Sequence, residues 1–168
     1  MSMNKTYNYW RTNFNKSGLK SELIEIYLSY LKILLENNIP IIFDFNHLCL
    51  LWGRNKEYLA SVINSSKHHY RRFEIPKRSG GLRSINAPYP ALLESQKWIY
   101  DNILAKVSIH YSAHGFAYNK SIITNTKIHV GQKHFLKIEL KDFFSTININ
   151  QVITVFKSLG YTHKVAFY

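Results

Sequence analysis

The chain has 168 residues, enough for one ordinary domain or part of a larger one, and 46% of them are apolar, ample for a core. Its net charge of +12, from 22 Lys and Arg against 10 Asp and Glu, calls for a polyanionic partner. A single cysteine excludes an intramolecular disulfide, no Cys/His spacing suits zinc, and the longest apolar runs are too short to span a bilayer.

Residues 1–18 are rich in Asn, Lys and Tyr. They show neither periodicity nor a signal-peptide core, so a loose arm on a cytoplasmic protein without membrane contact is expected. A helix is predicted from about Leu19, where Leu23, Ile24, Tyr27, Leu28, Leu31, Leu34 and Leu35 recur at helical spacing until Asn37, Asn38 and Pro40 close it. Two short helical patterns follow, about His47–Trp52 and Lys56–Ile63, with Cys49 expected as buried filler.

Between Ser66 and Arg83 the character changes. Lys67, Arg71, Arg72, Lys77, Arg78 and Arg83 crowd a short span against a lone Glu74. Phe73 and Ile75 alternate with Arg72 and Glu74, Ser79-Gly80-Gly81 signals a turn, and Leu82–Ile85 resumes an extended pattern, so a hairpin is predicted with Lys77, Arg78 and Arg83 at its tip. Such a hairpin can meet phosphates, or its cations can simply discourage edge-to-edge pairing. Pro88 and Pro90 end it, and a helix over Ala91–Leu104 carries Leu92, Gln96, Ile99 and Ile103 on one stripe. His114-Gly115-Phe116 falls in a loop; Ser121, Asn125 and His129 would share a face if their segment is helical.

From Phe135 to Lys141, Leu136, Ile138 and Leu140 alternate with Lys137, Glu139 and Lys141, the period of a strand burying one face. Glu139 then points away from the core, and a turn is expected at Asp142-Phe143-Phe144. A carboxylate at the end of a central strand is a common place to hold a divalent metal for phosphoryl transfer; equally, a Glu between two Lys can be a solvated strand residue. Asn148-Ile149-Asn150-Gln151 has the form of a capping box opening a helix with Val152, Val155, Phe156 and Leu159 before Gly160. The twelve Tyr, ten Phe and three Trp can fill a core or stack on bases.

In series these blocks resemble the first part of a bacterial reverse transcriptase of the retron and phage-defence type. The motifs are Phe73-Glu-Ile-Pro-Lys-Arg-Ser-Gly-Gly-Leu-Arg-Ser-Ile-Asn-Ala-Pro88, Gln96-Lys-Trp-Ile with Asn102-Ile-Leu, His114-Gly-Phe with Ser121-Ile, Asn125 and His129-Val-Gly131, and Ile138-Glu-Leu-Lys-Asp-Phe-Phe144. Each is weak alone; four in order over roughly residues 70–161 are specific. The resemblance implies an α+β right-hand polymerase: an N-terminal arm (1–18), an N-terminal helical region (19–65), fingers (66–131), and the first strand and helix of the palm (132–168).

The resemblance also implies an RNA-directed DNA polymerase acting on RNA and RNA/DNA duplex with Mg²⁺, in an antiviral role. Lys77 and Arg83 would grip the triphosphate of a dNTP, and Phe144 would sit under its sugar and exclude a 2′-hydroxyl. Glu139 would be the catalytic carboxylate, holding the metal together with the backbone carbonyl of Leu140. Lys67, Arg71, Arg72 and Arg78 would contact nucleic acid. Two departures stand out. The family normally has Asp where this chain has Glu139, and the 168 residues contain no Tyr-X-Asp-Asp, so this chain alone is expected not to polymerise. A non-enzymatic RNA- or DNA-binding module, or one half of a split enzyme completed by a second polypeptide, are the alternatives.

Overall fold

The computed structural model describes residues 3–64 and 66–168, and among them eight α-helices and one two-stranded antiparallel sheet give an α+β chain. None of these helices is long and apolar enough to cross a membrane.

The first helix corrects the expected loose arm. Helix α1 (Met3–Lys16) buries no residue fully, but its Trp10 and Phe14, four apart, share one face. Trp10 meets Phe43 at 5.1 Å between ring centroids, and Phe14 stacks on Tyr27 at 5.5 Å. Two rings set among Asn and Lys are enough to dock the helix, and that polar setting hides them from a periodicity search.

Helix α2 (Ser21–Glu36) turns Ile24, Leu28, Leu31 and Leu34 inward, and the last three are the largest fully buried side chains among the described residues. Truncating any of these Leu would cost about 2–5 kcal/mol. Helix α3 (Phe45–Trp52) is opened by Asp44, whose carboxylate accepts from the His47 N–H at 2.8 Å, and closed by Gly53 at φ 70°. Helix α4 (Lys56–Asn64) completes the N-terminal block, and Cys49 is buried as expected.

Strands β1 (Tyr70–Pro76) and β2 (Leu82–Pro88) form the predicted hairpin, in register from Tyr70 opposite Pro88 to Pro76 opposite Leu82. Lys77 N–H donates to the Gly81 carbonyl and Gly80 N–H to that of Lys77; Gly80 and Gly81 take φ of 86° and 80°, which glycine alone adopts without strain. Pro90 starts helix α5 (Pro90–Asn102), joined to the hairpin by a hydrogen bond from Gln96 to the Tyr70 hydroxyl at 2.9 Å. Ser121 caps the short helix α6 (Ile122–Lys127), so Ser121 and Asn125 belong to one helical unit while His129 lies in the turn beyond it. Asn148 and Gln151 form the predicted capping box of α7 (Ile149–Ser158), and Thr162 caps α8 (His163–Phe167).

The core joins the two ends of the chain. Leu34, Ile39 and Ile42 pack with Ile103, Tyr161 and Val165. The Tyr161 hydroxyl donates to the Pro40 carbonyl at 2.9 Å, Tyr30 to that of Ile42 at 2.6 Å, and the Asn37 amide to that of Leu159 at 2.9 Å. Burial pushes the Tyr30 phenol up to about 12 and raises that of Tyr161 further. Gly160, at φ 107°, lies so close to α2 that a Cβ would meet Ile33 at 2.5 Å.

The central strand expected over 135–140 does not form among the described residues. Leu136, Ile138 and Leu140 are each at least 67% exposed, and no backbone hydrogen bond of a described residue engages 133–141. Alternation makes a segment able to be a strand, but a ladder needs a neighbouring strand, and none lies alongside.

Candidate nucleotide and nucleic-acid interface

The hairpin gathers the sequence-predicted cations in two groups. At the tip, Lys77, Arg78 and Arg83 line a hollow of about 360 Å³ together with Ile75, Pro76 and Ser79. Register explains the placing: Arg83 sits opposite Ile75, and opposed residues project from the same face, so Arg83 reaches alongside the five-residue turn that carries Lys77 and Arg78. All three are exposed. Further down, Arg71 lies over the Phe73 ring at 5.2 Å on that same face, while Arg72 on the other face donates from Nε to Ser84 Oγ at 2.8 Å. Arg71 and Arg72 therefore serve opposite sides of the ribbon. The side chain of Lys67 lies outside the described residues.

The remaining sequence-predicted site residues lie after α6. Asp142 adopts φ 51° and opens a 3₁₀ turn over Phe143–Thr146, the turn expected there. Glu139, Leu140 and Phe144 are exposed, and the Phe143 and Phe144 rings meet edge to face at 5.4 Å. Among the described residues no group of three or more His, Cys, Asp or Glu converges as a metal site would require. Glu139 and a Leu140 carbonyl could supply at most two of the roughly six oxygen ligands Mg²⁺ takes, so the residues present do not by themselves fit the metal.

Two features escaped sequence reasoning. Arg54 and Glu94 form an ion pair with Arg54 also 5.5 Å from the Tyr58 ring, fastening the α3–α4 turn to α5; their separation of forty residues leaves no local signal. His114 Nδ1 lies 3.0 Å from Thr124 Oγ1, locking the loop before α6 to that helix, and its Nε2 is buried with no hydrogen-bond partner among the described residues. An apolar cavity of about 570 Å³ runs between α3, α4, α5, α7 and α8, bordered by the stacked pair Trp52 and Trp98 at 5.8 Å.

No protein-family model matches the chain. The class of protein with which it shares sequence is the reverse transcriptases. Its relatives there include retron enzymes: it is 39% identical over 84 residues to the retron Mx162 reverse transcriptase and 39% over 98 residues to the retron Mx65 reverse transcriptase, both of Myxococcus xanthus. It is 30% identical over 130 residues to the retron Ec86 reverse transcriptase of Escherichia coli. These matches take in 50%, 58% and 76% of this chain but only 17%, 23% and 41% of the relatives, so the shared sequence spans less than half of each of them.

Proposed function

We propose that this chain is the fingers and the opening of the palm of a retron-type RNA-directed DNA polymerase, with RNA and RNA/DNA duplex as its partners. The observation that carries the reading is the hollow at the hairpin tip, where Lys77, Arg78 and Arg83 converge, within a chain similar to retron reverse transcriptases. Three cations around one hollow whose lining holds no acidic residue suit a triphosphate. Lys77 and Arg83 neutralise the phosphates of an incoming dNTP. Phe144, exposed at the 3₁₀ turn, meets the sugar face and disfavours a 2′-hydroxyl. Glu139 contributes one carboxylate to an active centre that needs further carboxylates, which no cluster among the described residues supplies.

A non-enzymatic nucleic-acid-binding module is the second reading, and the lack, among the described residues, of a group of three metal-ligating side chains that includes Glu139 favours it. A chimera decides between them. With this chain replacing the matching segment of the Ec86 enzyme, the first reading expects primer extension on an RNA template, lost in Lys77→Ala and Glu139→Gln. A folded chimera that binds template and primer but extends nothing leaves the binding module and refutes the polymerase.

A further inference from the structure

We propose that the loop between α5 and α6 is a stacking platform for an unpaired nucleic-acid strand, with Phe116 and Tyr118 as its base-contacting rings; this deepens the nucleic-acid reading above and rests on it. Tyr111, Phe116 and Tyr118 are 80%, 94% and 85% exposed, a poor use of large rings unless something covers them. Their presentation is built. Phe116 holds a positive φ of 56°, which a bulky side chain rarely adopts, and Asn119 one of 57°, which Asn tolerates in a turn. The loop around them is braced: Lys120 Nζ donates to the Tyr111 carbonyl at 3.4 Å, Lys120 N–H to that of Ala117 at 3.2 Å, and His114 is tied to Thr124.

Charge selects the occupant. From Asn102 to Ile138 the chain has no Asp or Glu, while Lys106, Lys120, Lys127, Lys133 and Lys137 fall in the same span. Protein interfaces deplete Lys at their centres, whereas single-strand binding sites combine lysines that follow the backbone with rings that accept base faces. Duplex bases present no free face, so the platform favours unpaired nucleotides.

The test compares a fluorescein-labelled, unstructured RNA of about twelve nucleotides with the same strand annealed to its complement, by anisotropy. Phe116→Leu and Tyr118→Leu, which keep apolar bulk and remove the ring, should each weaken single-strand binding about five-fold or more and leave duplex binding within about two-fold. Phe116→Trp and Tyr118→Phe should bind the single strand as the parent does. Unchanged single-strand affinity in the Leu variants overturns the platform while leaving duplex binding by the hairpin untouched; an equal loss on both probes also overturns it, since the rings would then not be selective for unpaired bases. Leu variants that bind normally but lose self-association in sedimentation would assign the rings to a protein contact instead. No binding of either probe by the parent chain overturns the broader nucleic-acid reading as well.

Discussion

Neutralising the hairpin tip separates what the cations do for the fold from what they do for a ligand. In the variant Lys77→Ala, Arg78→Ala, Arg83→Ala all three positions are exposed, and the ion pairs among the described residues, Lys32–Glu36 and Arg54–Glu94, do not involve them. Each removal should therefore change stability by about 0.5 kcal/mol or less, with Arg83 at the upper end because it is paired with Ile75 in the ladder. Binding should respond differently. If each cation neutralises one phosphate, the slope of log affinity against log salt becomes shallower by about 0.7–0.9 per residue, so by about 2–3 for the three. Between roughly 50 and 200 mM salt, the triple variant should then lose about 20- to 40-fold less affinity than the parent. The assay is anisotropy on a short RNA/DNA duplex across a KCl series, with urea unfolding of both proteins alongside. A slope unchanged by the triple substitution refutes phosphate contact at the tip. A stability loss above about 3 kcal/mol refutes the assignment of these residues to the surface.

Three further outcomes are expected. Gly160→Ala should cost about 2–4 kcal/mol in urea unfolding, because it adds a clash with Ile33 to the strain of φ 107°, whereas Gly80→Ala, with open space around it, should cost only the conformational part of about 1 kcal/mol; equal costs would contradict the close approach of α2 and Gly160. Burial lowers the His47 imidazole below its usual 6.5, with Asp44 opposing, so the folded state binds its proton less readily than the unfolded one. His47 thus makes stability fall as pH drops below about 6.5, levelling off once the folded pKa is passed; the fall should be smaller in His47→Gln, and an identical pH profile would rule out this source. In the chain alone, millimolar Mg²⁺ should leave the melting temperature of the parent and of Glu139→Gln equally unmoved, and a Glu139-dependent rise would reveal a metal site that the convergence of ligands does not provide.

The parts legible in the sequence are those settled by near neighbours. Ser79-Gly80-Gly81 fixes the hairpin turn, Asn148 with Gln151 fixes the start of α7, and the Leu28, Leu31, Leu34 series fixes the buried face of α2. Reading failed where a segment's state depends on distant partners. Helix α1 is held by rings on Tyr27 and Phe43, which its own polar sequence does not announce. The 136–140 alternation describes a strand's potential, but pairing requires another segment, and these side chains stay exposed. For the candidate site, sequence placed Lys77, Arg78 and Arg83 together because they flank one tight turn, yet it could not see that Arg71 lies over Phe73 on one face while Arg72 bonds Ser84 on the other.

The closure of Leu34 and Ile39 by Tyr161 and Val165 has a consequence for biosynthesis. Leu34 and Tyr161 are 127 positions apart in the sequence, and at about 5–20 residues per second a ribosome takes about 6–25 s to travel between them. During that interval the Leu face of α2 has been made but its covering residues have not. Helix α1 and the Trp10–Phe14–Phe43 cluster emerge first and can shield part of that region, while the α7–α8 end locks the core only on emerging later. The nascent chain therefore carries this incompletely covered face throughout the synthesis of the basic hairpin, whose positive charge adds repulsion between chains.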